Sequence, residues 1–251
     1  MSLFDTFDPV SEEILKPSHM IRPVDGFPET AVLTFEEKSL QALQSLCKTE
    51  TAATLKGGRD IPVYKFRWNG RELGLLQALI GGAATAALVE EVLALGAKKI
   101  LLYGSCGVLD GALTAGRLIL PTAAYRDEGA SYHYLPPADY VDIPTARRLG
   151  EIFDGLRLPY VKGRVWTTDA LYRETRANAD RRRGDGCIAV DMECASAMAV
   201  GRFRGAEVYQ FLYAEDSLDG EAWDARTMLT EDLASEYEIY LRIVLETAIR
   251  L

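Results

Sequence analysis

The sequence predicts an α/β fold in which a mixed sheet is flanked by helices, within a single domain that spans residues 1–251. Three observations predict it. Short apolar runs typical of strands alternate with segments that carry Ala, Leu and Val at helical spacing. The 251 residues are 48% hydrophobic, which is enough to bury a full core. No Pro/Gly/Ser-rich linker divides the chain.

The first elements are predicted to be strands. TAVLT at Thr30–Thr34 is a short apolar run, and PVYKFRW is joined to RELGLLQALI by Asn69-Gly70, a pattern typical of a tight hairpin. AATAALVEEVLALGA then has helical spacing and a natural stop at Gly96. Lys99–Tyr103 (KILLY) is the next predicted strand, and it enters GSCG. This order indicates a strand-helix-strand unit.

The alternation continues towards the carboxyl terminus. Strands are predicted at Arg117–Tyr125, Tyr160–Trp166 and Glu207–Tyr213, and helices near Thr145–Leu156 and at Met192–Arg204. A last helix, capped by Thr230, is predicted to close one side of the sheet with an apolar face formed by Leu233, Tyr237, Leu241, Val244, Ala248 and Leu251.

Charge and termini argue against several classes of protein. The net charge is −9, and the one dense basic cluster, Arg181–Arg183, is short and followed by an acid, so no nucleic-acid partner is expected. The N-terminal segment carries acids where a signal peptide needs basic residues, and apolar runs fall short of membrane-spanning length. Neither secretion nor membrane insertion is expected.

Metal binding is not expected either. The four cysteines show no CxxC spacing, and only His19 and His133 could assist them: Cys47, Cys106, Cys187 and Cys194. This usage favours a reduced, cytoplasmic protein without a metal or cofactor.

A glycine-rich segment, GSCGVLDG, follows the Lys99–Tyr103 strand. It lacks both the Lys-Ser/Thr of a P-loop and the GxGxxG spacing of a dinucleotide site. Ser105 and nearby backbone N–H groups would nevertheless stand at the carboxyl end of a strand, where open α/β sheets bind ligands. A plain tight turn would give the same pattern.

Three carboxylates occupy positions of interest. In VDMECASAMAV, the small and apolar residues share one helical face and leave Glu193 near the helix start, where the helix dipole favours a negative charge. Glu215 and Asp216 come directly after a hydrophobic strand, at an edge where catalytic residues tend to lie. Each could equally be an acid with no role in chemistry.

The order and spacing of these segments resemble the nucleoside phosphorylase family across most of the chain. The matching segments are IGGAATAALVEEVLALGAKKILLYGSCGVL, GRLILPTAAYRDEGASYHYLPP, WTTDALYRET, VDMECASAMAV and FLYAEDS. The Met-Glu glutamate and the aspartate after the later strand are 216 − 193 = 23 residues apart, a separation that resembles the purine-cleaving members.

The resemblance implies cleavage of the bond from sugar C1′ to the base nitrogen, with phosphate as co-substrate, to give free base and ribose 1-phosphate. Glu193 would accept hydrogen bonds from the ribose hydroxyls while Met192 packs against the sugar. Asp216 would protonate the purine at N7, assisted by Arg226 as a cation. The expected ligands are therefore a purine ribonucleoside and phosphate.

The resemblance also implies further site residues and an assembly. Trp166 would stack on the base, although a core tryptophan is the alternative, and Thr168 lies in the same substrate-binding segment. His19 would reach a neighbouring subunit's site, and the phosphate would be bound by Ser105, Gly81 and, from an adjacent chain, Arg59. Such shared sites imply a homo-oligomer, a dimer or a hexamer.

Several positions depart from the phosphorolytic pattern. TFEEKS at Thr34–Ser39 stands where the family carries a Gly-Asp-Pro loop with an arginine, Leu102 replaces a phosphate-binding arginine, and Glu215 replaces a serine. These losses favour, as the alternative, a nucleosidase that activates water through Glu36 or Glu37.

A uridine-type phosphorylase and a non-catalytic binding module also stay open. The phosphorylase could use Arg173 or Arg176 to bind a pyrimidine carbonyl, although Asp216 has no N7 to protonate there. The binding module could keep the nucleoside pocket, but simple binding would not require a proton donor at the base.

Overall fold

The computed structural model describes residues 5–230 and 234–251. Its strands are β1 Thr30–Thr34, β2 Thr49–Lys56, β3 Asp60–Trp68, β4 Arg71–Gln77, β5 Lys99–Val108, β6 Leu118–Asp127, β7 Tyr140–Asp142, β8 Tyr160–Thr168, β9 Cys187–Asp191 and β10 Glu207–Ser217. Its helices are α1 Pro17–Met20, α2 Glu37–Leu46, α3 Gly82–Leu95, α4 Gly111–Thr114, α5 Ser131–Tyr134, α6 Ala146–Leu156, α7 Arg176–Gly184, α8 Cys194–Arg204 and α9 Ala234–Ala248. The mixed sheet with flanking helices confirms the predicted fold class.

The sheet contains a closed ring of strands. The strand order is β10-β6-β8-β9-β5-β1-β4-β3-β2, with β7 paired to β6. Because β10 also pairs with β5, the strands β5, β9, β8, β6 and β10 form a ring, from which β1, β4, β3 and β2 extend. β5 is parallel to β1 and to β10, so these three strands end at the same edge.

Both faces of the sheet are buried. Neighbouring residues of β1 point to opposite sides: Leu33 belongs to a core cluster with residues of α3 and α8, and Val32 to one with residues of α2, α6 and α9. This explains why β1 is apolar throughout and not alternating. On α9, the predicted inward face is buried at Tyr237, Leu241, Val244 and Ala248.

Two predictions about the start of the last helix concern residues that the structure does not describe. Leu233 and the first turn that the sequence assigns to capping by Thr230 lie outside the described residues. In the two described ranges, the helices do not combine the length and apolar character needed to cross a membrane.

The first elements are not all strands, since α1 precedes β1, and α2 and the unpredicted β2 follow it. Local sequence signals did locate β1, the β3–β4 hairpin and α3. β1 has the predicted bounds, and the β3–β4 hairpin turns at Asn69-Gly70, whose φ angles are 45° and 82°. A two-residue turn with positive φ at both positions matches the twist of the strands it joins. α3 ends at Leu95 and is capped by Gly96, whose φ of 128° few other residues adopt at low cost.

Several boundaries differ from the prediction, and three of them concern candidate site residues. β5 continues from the predicted Lys99–Tyr103 to Val108, so Ser105 lies inside the strand and the GSCG segment is not a tight turn. β10 continues to Ser217 because it pairs with β5 as far as Val108, so Glu215 and Asp216 lie inside a strand and not after it. α8 begins at Cys194, which leaves Met192 and Glu193 at the junction of β9 and α8. Hydrophobic patterning does not detect a strand whose last residues are polar and held by backbone pairing.

Candidate active site

Strand ends converge on one cavity, which we call the inner cavity; it encloses about 180 Å³. Its polar wall consists of six carboxylates: Glu36, Glu174, Asp191, Glu193, Glu215 and Asp216. The rest of the lining is the Ser105–Gly107 segment and six apolar residues: Phe35, Ile80, Leu171, Val190, Met192 and Met228. The structure thus brings Ser105, Met192, Glu193 and Asp216 together, four of the residues assigned to the site from sequence.

Glu193 is held by the start of α3. Its Oε1 accepts a hydrogen bond of 2.7 Å from the Gly81 backbone N–H, and its side chain is buried. A Cβ at Gly82 would collide with Ser196 Oγ, so glycine lets α3 begin this close to α8 without displacing the Ser196 side chain. Burial, together with the charge of Asp191, raises the pKa of Glu193 to about 8.

Asp191 is the anchor of this junction. Its carboxylate accepts hydrogen bonds from Thr167 Oγ1 at 2.7 Å, from the Cys194 N–H at 2.8 Å and from Gln210 Nε2 at 3.3 Å. Burial raises its pKa to about 6 in spite of these donors. Because Asp191 caps α8 and Glu193 makes no cap hydrogen bond, the Glu193 side chain is free to line the cavity. In the sequence, the Asp three residues before Cys194 is the signal that could have predicted this helix cap.

A β-bulge explains the pair Glu215 and Asp216. The β10–β5 register shifts between Ala214 and Asp216, so Glu215 is an extra residue on β10. Neighbours in a regular strand point to opposite faces, but a bulge re-aims a side chain. Both carboxylates therefore line the inner cavity. Glu215, for which the sequence offered no interpretation, is the bulged residue.

A tryptophan that sequence reasoning missed contacts Asp216. Trp223 Nε1 donates a hydrogen bond of 2.6 Å to Asp216 Oδ2, and the side chain is 54% exposed. Trp223 lies in a loop that folds back on β10, where the backbones of Ser217 and Asp224 exchange hydrogen bonds of 2.8 and 3.0 Å. Seven residues separate Trp223 from Asp216, and nothing in the local pattern predicts this return.

Two further acids of the inner cavity have raised pKa values. Burial and the charge of Asp216 raise the pKa of Glu174 to about 7, and burial and the charge of Glu215 raise the pKa of Glu36. Of the two acids considered for water activation, Glu36 lines the cavity, whereas Glu37 is exposed and accepts a hydrogen bond from Gln41. The lining residues include neither lysine, arginine nor histidine.

Trp166 and Thr168 lie outside the inner cavity. Trp166 is 1% exposed, packs in a core cluster with Leu109 and Val190, and donates a 2.9 Å hydrogen bond to Asp127. Its ring therefore has no face free to stack on a base. Trp166 is placed as a core tryptophan, which was the alternative interpretation from sequence. Thr168 is buried, and its hydroxyl accepts a hydrogen bond from the Ala170 N–H.

The basic residues assigned to the site also lie elsewhere on this chain. His19 is exposed on α1, and Arg59 is exposed and donates to Gln77 Oε1 at 3.2 Å. Arg226 has a φ of 43° and lies 4.0 Å from Asp224, outside the lining of the inner cavity. The Gly81 N–H, assigned to phosphate, is occupied by Glu193.

The other residues considered from sequence do not line the inner cavity. Arg176 donates to the backbone carbonyls of Leu218 and Glu221, Arg173 is exposed, and Leu102 is buried in the core. Although six acids surround the cavity, no group of three or more His, Cys, Asp or Glu in the described ranges is arranged to hold a metal ion.

Comparison with known proteins decides the family. The sequence model of the family described as the phosphorylase superfamily matches residues 30–250. The chain belongs to the phosphorylase superfamily. The resemblance to nucleoside phosphorylases is thereby confirmed.

Individual relatives of this superfamily member differ in substrate. The chain is 23% identical to the guanosine phosphorylase of Halorubrum lacusprofundi over 92% of its own length and 97% of that protein. It is 31% identical to the uridine phosphorylase of Thermococcus kodakarensis over 45% of this chain and 42% of that protein.

Solved structures agree on the fold. The purine nucleoside phosphorylase of Toxoplasma gondii matches with a TM-score of 0.74 and 18% identity, covering 96% of this chain and 99% of that one. The AMP nucleosidase of Bacteroides thetaiotaomicron matches with a TM-score of 0.68 and 23% identity, covering 90% and 91%. At these identities the likeness extends to the fold alone.

Proposed function

We propose that this protein cleaves the N-glycosidic bond of purine ribonucleosides, with phosphate as the attacking group. One observation carries the proposal: Glu193 and Asp216, which belong to different strand ends, line the same small cavity. A single nucleoside can therefore meet a carboxylate at its sugar and another at its base. The full-length relative from Halorubrum lacusprofundi, named a guanosine phosphorylase, supports both the purine and the phosphate.

The bond between C1′ and N9 breaks with its electron pair moving to the base, and a phosphate oxygen bonds to C1′. Glu193 accepts hydrogen bonds from the ribose hydroxyls and favours the positive charge that develops on the ring. Asp216 delivers a proton to N7, which makes the base a better leaving group. Glu174, whose pKa of about 7 reflects burial and the charge of Asp216, supplies protons at this end of the cavity, a role we assign to it in place of Arg226.

Phosphate requires positive charge that the inner cavity of one chain does not supply. Part of the repulsion is reduced because burial and the charge of Asp216 raise the pKa of Glu174 to about 7. The cation would come from the exposed Arg59 of an adjacent subunit in a homo-oligomer. Hydrolysis is the second candidate, favoured by the acidic lining and by the position of Glu36, which would act as the base that activates water.

Phosphate dependence separates the two candidates. With inosine, we expect base release to accelerate on adding phosphate and ribose 1-phosphate to accumulate. Arg59→Gln is expected to raise the KM for phosphate about tenfold or more, since a charged hydrogen-bond donor to an anion is lost. Arg67→Gln, at another exposed arginine of the same hairpin region, is the control and should leave that KM unchanged.

The opposite result has a distinct signature. Base release that is equally fast without phosphate, with ribose as the sugar product, would assign the protein to hydrolysis. Glu36→Gln should then abolish most turnover. Failure to cleave inosine, guanosine, adenosine, methylthioadenosine or uridine under either condition would contradict both candidates.

A further inference from the structure

A second cavity adjoins the inner one at the end where Asp216 lies. This outer cavity encloses about 630 Å³ and shares Leu171, Glu174, Asp216 and Met228 with the inner cavity. Ser105, Met192 and Glu193 line only the inner cavity. A nucleoside whose sugar meets Glu193 and whose base meets Asp216 would therefore direct the outer edge of its base towards the outer cavity.

The outer cavity presents apolar surface to solvent. Leu171, Tyr172, Trp223, Met228 and Leu229 line it and are 40%, 95%, 54%, 44% and 73% exposed. Large hydrophobic side chains gathered at one place on a surface mark a binding site more often than single exposed ones do. A ligand group that covers this surface gains affinity in proportion to the apolar area it removes from water.

The guanidinium of Arg176 and the indole N–H of Trp223 are already engaged within the protein. Arg176 donates to the carbonyls of Leu218 at 2.9 Å and Glu221 at 3.1 Å, and the Trp223 N–H is bound to Asp216. These bonds tie the loop that carries Trp223 to α7 and to β10, so the wall is formed before a ligand arrives. The group that enters the outer cavity is thus recognised by its apolar surface and not by hydrogen bonds to Arg176.

We propose that the outer cavity is a subsite for an apolar substituent on the base, so that the preferred substrates are purine nucleosides bearing an alkyl or aryl group on the amine at C6. This inference rests on the proposed function, because it takes Asp216 to face N7. C6 is on the same edge of a purine as N7, so a substituent there passes Asp216 and reaches Trp223. The inner cavity, at about 180 Å³, is much smaller than the outer cavity, at about 630 Å³.

Binding of free bases tests the subsite without requiring turnover. By calorimetry, we expect 6-benzylaminopurine to bind about tenfold or more tightly than adenine, because the benzyl group covers apolar surface. Leu229→Asp and Tyr172→Ala, both at exposed positions, should lower this ratio towards one. Ile239→Asp, at a 56% exposed position on α9, is the matched control and should leave it unchanged.

Each contrary outcome has a clear meaning. Equal or weaker binding of 6-benzylaminopurine in the wild-type protein overturns the proposal. A ratio that survives Leu229→Asp, with a change in oligomeric state, would make the outer cavity an interface between copies and would also overturn it. Because base binding is measured without catalysis, a protein that binds 6-benzylaminopurine tightly and cleaves no nucleoside would contradict the proposed function alone.

Discussion

Asp216→Asn is expected to lower kcat for purine nucleosides by about 10²–10⁴-fold, the usual contribution of a general acid. An amide cannot deliver a proton to N7, so the base must leave as an anion. Asn keeps the size of the side chain and can still accept the hydrogen bond from Trp223. The affinity for the nucleoside should therefore change little, since the proton matters chiefly in the transition state.

Asp219→Asn provides the matched control. Asp219 lies just after the end of β10, is exposed and accepts a hydrogen bond from the Gly111 N–H, but it does not line the inner cavity. Steady-state kinetics with inosine and a direct measurement of inosine binding should separate the two variants. Unaltered kcat in Asp216→Asn would remove Asp216 from the role of acid.

Glu193→Gln is expected to lower kcat/KM by about 10²–10³-fold, comparable to the loss of one electrostatic contact with a developing charge. The neutral amide cannot stabilise the positive ring or accept charge-assisted hydrogen bonds from both ribose hydroxyls. With a pKa of about 8 in the free protein, Glu193 is mostly protonated below that pH. We therefore expect a bell-shaped wild-type pH profile of kcat/KM, in which ionisation of Glu193 produces the rising limb and loss of the proton of Glu174, whose pKa is about 7, produces the falling limb.

The variant should lack this rise, because it has no proton to lose at that position. The pH profile of kcat/KM reports groups of the free protein, which makes it the decisive measurement. Glu151→Gln, at an exposed acid of α6, is the control. A Glu193→Gln protein that keeps the wild-type pH profile would show that another group produces it.

Ionisation of Glu193 should raise kcat/KM but lower the stability of the folded protein. A carboxyl whose pKa is about 8 in the folded state and near 4.5 in the unfolded state binds more protons when folded between these pH values. The contribution of Glu193 to the free energy of unfolding therefore falls as pH rises through this window. Glu193→Gln should have a higher Tm than the wild type by a few degrees at about pH 9 and less at about pH 5, measured by thermal unfolding.

Local signals were sufficient for the elements that form through short-range interactions. Asn69-Gly70 predicts a turn because both residues tolerate positive φ, and Gly96 ends α3 for the same reason. Hydrophobic spacing located β1, α3 and α6 because burial selects apolar side chains at the period of each element. Motif spacing identified Ser105, Met192, Glu193 and Asp216, which the fold brings to one cavity.

Other features depend on contacts between segments distant in sequence. Glu174 joins the cavity through the turn before α7, and Trp223 reaches Asp216 only because its loop pairs back on β10. Trp166, an aromatic residue near the site in sequence, is buried by the packing around β8. Sequence distance says little about such placements, since they depend on how whole strands pair.

By itself, the sequence determined the class of the fold and its family, and it predicted the pair of acids to which we assign roles at the sugar and the base. The tertiary structure alone decided that six carboxyl groups surround one cavity with no cation among its described lining residues, that the Glu215 bulge turns two neighbouring acids inward, and that an apolar cavity continues beyond Asp216. The physical reason is that patterning and capping act over a few residues, whereas burial, pKa and cavity shape arise only when separate chain segments exclude water from one another.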